Sequence, residues 1–193
     1  MQASGNRPES LEPEDERFLS GGWQMGALMR SLDWSRTPLG PPSKWPAAAK
    51  TAVGICLNSR FPMVLWLGRE LTMLYNDGWR PVLGATKHPG GLGRPAREVW
   101  PEIWHIIGPQ LQSVMDTGIA TWANDLLLVV DRFNYAEEAY FTYSYSPIHA
   151  DDGEICGVFT AVSETTQRVI GERRLKTLSE LGALTKAKST EEA

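Results

Sequence analysis

The chain has 193 residues, 42% of them apolar, and a formal net charge of -4. That supplies one good core with extensions, while mild acidity without a long basic run excludes a general attraction for nucleic acid or anionic lipid. No stretch reaches the ~20 apolar residues of a membrane helix, and residues 1–13 lack the charged-then-apolar order of a signal peptide, so a cytoplasmic protein is expected.

Residues 1–17, rich in Glu, Pro, Ser and Gly, are expected to be disordered. Trp23, Ala27, Met29 and Arg30 fit a short amphipathic helix, weakened by Gly26. A rigid turn follows at Thr37-Pro38-Leu39-Gly40-Pro41-Pro42. Ser43 then caps a second helix with Pro46 in its first turn. Its apolar face is Trp45, Ala48, Ala49, Ala52, Val53, Cys56 and Leu57. Residues 18–59 thus form a helical extension.

The pattern then shortens to strands. Residues 61–67 are nearly all apolar and read as a covered strand, with Pro62 near its start. Gly68-Arg69-Glu70 turns the chain into a second strand at 71–75. Asn76 or Asp77 caps a short helix that Gly84 ends. Residues 85–101 read as loop. A longer helix is predicted over 102–118, with Ile103, Ile106, Ile107, Leu111, Val114 and Met115 at three- and four-residue steps. Pro109 is expected to kink it and Gly118 to stop it.

Three more strands are predicted. The first covers 122–130. The second covers 140–147, with Phe141, Tyr143 and Tyr145 on one face and Tyr140, Thr142, Ser144 and Ser146 on the other. The third covers 155–162, after a tight turn at Asp151-Asp152-Gly153. A polar helix from Glu164 to about Lys186 closes the chain. The predicted fold is α+β: one five-stranded antiparallel sheet with helices on one face, a small-molecule-sized cavity between the layers, N-terminal helices and a C-terminal helix.

Over residues 60–165 this order resembles the PAS family of sensor domains. Tyr75-Asn76-Asp77 is similar to the entry into the first small PAS helix. Gly93-Arg94-Pro95 with Glu98-Val99-Trp100-Pro101-Glu102 is similar to the segment before the long PAS helix. Ser146-Pro147-Ile148 fits as well. Glu164-Thr165-Thr166 resembles the Asp-x-Thr motif that closes many PAS cores, with Glu for Asp; the resemblance implies that this carboxylate and hydroxyl tie an output helix, residues 166–193, to the sheet. Trp34-Ser35, Thr37-Pro38-Leu39-Gly40-Pro41 and Trp45-Pro46 resemble the lead-in of PAS domains at the start of bacterial sensor histidine kinases. The resemblance therefore implies a two-component sensor with GAF and kinase domains downstream.

The candidate ligand pocket is Trp66, Tyr75, Trp79, Trp100, Trp104, His105, Tyr143 and Phe159; the candidate relay is Glu164, Thr165 and Thr166. An indole-walled pocket and an indole-filled core have the same composition, so the eight tryptophans leave both open. His105 on the long helix is the residue through which a haem-binding PAS protein would ligate iron. A flavin–cysteine adduct is not expected, because residues 85–101 hold no Cys and Phe159 stands where a flavin-facing Gln would be; non-covalent flavin stays open. Cys56 and Cys156 lie in no CxxC and read as small buried apolar side chains, so no metal site is expected.

Gly90-Gly91-x-Gly93 lacks the Lys-Ser/Thr of a P-loop and reads as a flexible loop. Glu137 and Glu138 read as solvated, and Asp125 as an edge charge that blocks sheet pairing. The terminal helix does not sustain heptads, yet Val169, Ile170 and its leucines need cover, so a homodimer through the N- and C-terminal helices is expected. No nucleophile–base pair stands out, so the chain is not expected to be an enzyme. The alternatives to a ligand-sensing module are a ligand-free dimerisation module and a haem sensor built on His105.

Overall fold

The computed structural model describes residues 14–191. The expected disorder of residues 1–13 lies outside the described residues. From Glu14 the chain is already ordered as a 3-10 helix, Glu14–Leu19, and Leu19 is buried. Helix α1 (Gln24–Ser31) and helix α2 (Ala47–Asn58) follow. Helix α2 starts four residues later than expected. Pro42–Lys44 forms a separate 3-10 turn, and Pro46 takes the N-cap position without a side-chain cap.

Five strands, β1 (Met63–Leu67), β2 (Thr72–Tyr75), β3 (Thr121–Asp131), β4 (Ala136–His149) and β5 (Ile155–Glu164), form one antiparallel sheet in the order β2-β1-β5-β4-β3. The fold is the expected α+β arrangement. The order places the last strand at the centre, so the C-terminal helix leaves from the middle of the sheet.

Between β2 and β3 lie α3 (Arg80–Lys87), the single turn α4 (Ala96–Val99) and α5 (Trp104–Thr117). Residues 85–101 are more ordered than their Gly and Pro content suggests. The Met73 N–H donates to the Arg94 carbonyl and the Gly93 N–H to the Met73 carbonyl, both at 2.9 Å, which covers the open edge of β2. Pro109 lies inside α5, and Gly118 ends the helix in the left-handed region, its N–H donating to the Val114 carbonyl.

Both faces of β1 are buried, for two reasons. Trp66 and its cross-strand partners Val158 and Met73 face α3–α5. Leu65 and Leu67 point the other way, where α2 packs its Ala52, Val53, Cys56 and Leu57 against the sheet. Away from α2 the second face is open, and Trp122, Leu127 and Val129 of β3 are exposed. Helix α6 (Thr166–Glu191) begins one residue after β5 and runs past the expected end at Lys186.

Candidate functional site

Between the sheet and α3–α5 lies a partly open apolar cavity of about 40 Å³. The sheet side supplies Trp66 from β1, Leu128 and Val130 from β3, Phe141, Tyr143 and Tyr145 from β4, and Thr160 and Val162 from β5; the helical side supplies Trp79, Val82, Trp100, Ile103 and Ile107. Alternation explains the sheet side: Tyr145 lies opposite Thr160, Tyr143 opposite Val162, and Leu126, next to the β3 bulge, opposite Phe141. The rings are fixed by edge-to-face contacts, with Trp66 6.4 Å from Trp79 and 6.5 Å from Tyr145 at near right angles. The Trp66 indole N–H donates to the Thr160 hydroxyl at 2.8 Å. The Tyr143 hydroxyl donates to Gln110 Oε1 at 3.0 Å, and burial raises both the Tyr143 and Tyr145 phenols above their ordinary value.

Of the pocket residues expected from sequence, Trp66, Trp79, Trp100 and Tyr143 line this cavity. The other four do not. Tyr75 is buried near the sheet edge, its hydroxyl 3.0 Å from His88 Nδ1. Trp104 lies under the backbone of α5, so close that a Cβ on Gly108 would come within 2.8 Å of its ring. His105 is exposed on the outer face of α5. Phe159 pairs with Leu65 and shares its face, opposite the cavity; Thr160 and Val162 are the β5 residues that point in. That is a one-residue parity error, and it reverses the face.

Neither haem nor flavin fits this site as it stands. A ligand of ordinary drug size needs about 300 Å³ or more, and the exposed His105 is not directed to the cavity. Among the described residues no cluster of three or more His, Cys, Asp or Glu could hold a metal ion. Burial pushes the Cys56 thiol up to about 12, which keeps it protonated at neutral pH.

A second constellation lies at the junction of β5 and α6. Arg132, at the β3–β4 turn, is only 5% exposed. Its guanidinium forks onto two carboxylates: Nε and Nη2 donate to Glu137 at 2.7 and 3.1 Å, and Nη1 and Nη2 to Glu164 at 2.9 and 2.8 Å. The Thr166 hydroxyl donates to Glu164 Oε1 at 2.9 Å and accepts from the Tyr140 N–H at 2.9 Å; the Thr165 N–H donates to the Tyr140 carbonyl at 2.8 Å. The Thr165 hydroxyl and Arg168 both donate to Asp125 Oδ1. Farther along α6, Arg173 pairs with Glu138 and the Tyr140 hydroxyl.

Two sequence readings are corrected here. Glu137 is a ligand of a buried guanidinium, not a solvated turn residue. Asp125 is a docking post for α6, not only a charge on an edge strand: it occupies a β-bulge at φ 48°, which turns its side chain toward Thr165 and Arg168. Arg132 itself had no signal in the sequence, because an arginine between two strands ordinarily reads as solvated.

Hydrogen bonds from Arg132, and then from Thr166, hold the Glu164 carboxyl below its ordinary value despite partial burial. A depressed native value means that this carboxylate stabilises the fold fully above the unfolded value of about 4.3, and that the contribution fades as pH falls through the native value. The urea midpoint is expected to drop as pH falls below that unfolded value, and Glu164→Gln is expected to flatten that part of the profile. An unchanged profile in Glu164→Gln removes Glu164 from the account.

No family model and no curated protein matches the sequence. Solved structures do match. One is a sensory box sensor histidine kinase from Vibrio cholerae, 13% identical, covering 54% of this chain and 81% of that one, with a TM-score of 0.42. The PAS domain of Bordetella pertussis BvgS is 17% identical over 65% of this chain and 92% of its own, with a TM-score of 0.42. An RNA-binding light-oxygen-voltage receptor is 15% identical over 94% of this chain and 42% of its own, with a TM-score of 0.48. Among the described residues no helix is long and apolar enough to cross a membrane.

Proposed function

We propose that the chain is a non-catalytic sensory module in which the occupancy or packing of the sheet–helix cavity sets the docking of α6, and through it the activity of downstream GAF and kinase domains. The observation that supports this is the position of Arg132. Its side chain ends on Glu164, one residue from α6. Its backbone lies against α3: the Thr86 N–H donates to the Arg132 carbonyl at 3.3 Å, and a Cβ on Gly84 would come within 2.2 Å of that oxygen. Val82 of α3 and Val130 of β3, each two residues from these contacts, are cavity walls. One buried residue thus touches α3 beside the cavity wall, the sheet and the helix junction. A ligand biases such a device only by its differential affinity for two arrangements.

Coupling is the test. Val82→Ala is expected to alter amide hydrogen exchange over residues 166–175 in the native background and to have a much smaller effect with Arg132→Gln in place. Equal changes in both backgrounds, or none in either, refute the relay.

A second reading, a ligand-free dimerisation module, is favoured by the small cavity together with the exposed Leu175 and Leu178 of α6. A second copy laying the same helix alongside would cover these leucines. Sedimentation should then show a dimer that Leu175→Lys with Leu178→Lys converts to monomer; a native chain that is monomeric at tens of micromolar ends this reading.

A further inference from the structure

The lead-in segment Thr37-Pro38-Leu39-Gly40-Pro41, with Trp45 and Pro46, has no part in the cavity or the α6 junction. It packs instead on the β1–β2 turn. Gly68 of that turn is in the left-handed region, φ 68°, and a Cβ there would come within 3.2 Å of Leu39 Cδ2. Trp45 is held edge-on to Trp34 at 4.8 Å, and its indole N–H donates to the Gly40 carbonyl at 3.0 Å. The Gly68 N–H donates to the Cys156 carbonyl at 2.9 Å, which ties the turn to the start of β5. Between these fixed pieces a groove of about 320 Å³ remains. Leu39 and Trp45 of the lead-in, Ala49 of α2, Leu67 of β1, Met115 of α5 and Ile155 of β5 make it apolar. The exposed Lys44 and Arg69 line it as well, and no carboxylate does. Among the described residues neither cation has an ion pair or a side-chain hydrogen bond; Glu70, next to Arg69, pairs with Arg97 at 2.7 Å. On a chain of net charge -4, two unpaired cations beside an apolar floor with no acid reverse the average character of the surface.

From this we infer that the groove is a binding site for a small amphipathic anion, of the class of a medium-chain monocarboxylate, with its apolar body on the groove floor and its carboxylate at Lys44 and Arg69. Size follows from the volume, which lies at the lower end of the roughly 300–1,000 Å³ of small-molecule sites. The apolar body follows from the lining: Leu39, Met115 and Ile155 are only half-buried and gain cover from a ligand laid over them. The sign of the head group follows from the two cations and the missing acid. Its kind follows from the donors. The Gly68 N–H is already engaged by Cys156, so the groove offers two cationic side chains, which match the two oxygens of a carboxylate. None of these walls lines the sheet–helix cavity, so the site goes beyond the sensory reading and stands or falls without it.

The test uses the 193-residue chain labelled with nitrogen-15 and three probes that share one aliphatic body: octanoate, 1-octanol and octylammonium. Octanoate is expected to bind saturably and to shift the amides of Gly68, Arg69, Ile155 and Cys156, which flank the groove. Octanol should bind about 5- to 20-fold more weakly, and Lys44→Gln and Arg69→Gln should each weaken octanoate by about 2- to 5-fold, the range of an exposed ion pair, without changing octanol. Both side chains are exposed, so neither variant removes packing; the comparison of octanoate with octanol on the native chain decides the matter should one fail to fold. The inference is overturned if octanoate does not bind, if octanol or octylammonium binds as well, or if octanoate shifts the walls of the sheet–helix cavity and not these four amides. Vesicles of phosphatidylglycerol and phosphatidylcholine separate a free ligand from a lipid surface. A chain that sediments with them and is not released by octanoate uses its cations on a membrane, and the inference falls with that result too; a chain that stays in solution keeps it.

Discussion

Arg132→Met is expected to destabilise the protein by about 3 kcal/mol and to loosen α6 more than the rest of the chain. The estimate comes from what the substitution leaves behind. Methionine fills much of the volume, so the cavity cost is small. Glu137 and Glu164 remain, facing one another across the site that the guanidinium occupied. Removing one partner of a buried ion pair typically costs about 3–5 kcal/mol, because the other charge stays desolvated. Here the carboxylates keep 26% and 30% exposure, so water relieves part of the penalty and the lower end applies. Arg132→Met with Glu137→Gln and Glu164→Gln should recover at least half of the loss, since it is the uncompensated charge that hurts. Urea unfolding measures the total, and hydrogen exchange over residues 165–175 measures the local share. A single variant within about 0.5 kcal/mol of the native protein, at the level of an ordinary surface substitution, would mean that the guanidinium holds nothing together.

The same cluster shows what the sequence could and could not convey. Strand β4 was legible because Phe141, Tyr143 and Tyr145 alternate with Thr142, Ser144 and Ser146, and the structure buries the aromatic face. Strand β5 was legible as a strand but not in its facing. Val158, Phe159, Thr160, Ala161 and Val162 offer no polar alternation, because α2 covers one side of the strand and the cavity the other. The one polar residue there, Thr160, points inward to accept from Trp66, which inverts the usual inference from polarity. His105 was a candidate because it stands on the long helix, where the resemblance implies a haem-ligating histidine, yet adjacent helical positions lie about 100° apart and only Ile103 and Ile107 reach the cavity. Glu164, Thr165 and Thr166 could be singled out by motif. Their partners Arg132, Asp125 and Tyr140 are 25 to 40 residues away and meet them only once β3, β4 and β5 are in register. Long-range polar pairing leaves no local periodicity, and that is why the tie was visible from one side alone.

Gly84→Ala is expected to be the most damaging single-methyl change in the region, costing about 3 kcal/mol or more. Gly84 has φ 63° and ψ -167°, a conformation essentially reserved for glycine, and a side chain there costs about 1–3 kcal/mol from the backbone alone. The added Cβ would also come within 2.2 Å of the Arg132 carbonyl oxygen and 2.6 Å of the Arg132 Cβ. Neither is the flexible end of a side chain, so α3 or the β3–β4 turn must move. Movement of α3 displaces Val82 from the cavity wall, and movement of the turn pulls Arg132 away from Glu164. The variant should therefore perturb cavity-lining resonances and α6 exchange together. Gly90→Ala is the control: it lies in the same Gly-rich region, outside the left-handed conformation, with its nearest neighbour a full 4.0 Å away, and should cost almost nothing. A Gly84→Ala protein that loses stability while α6 stays fully protected would show that α3 and the helix junction are packed side by side without being coupled.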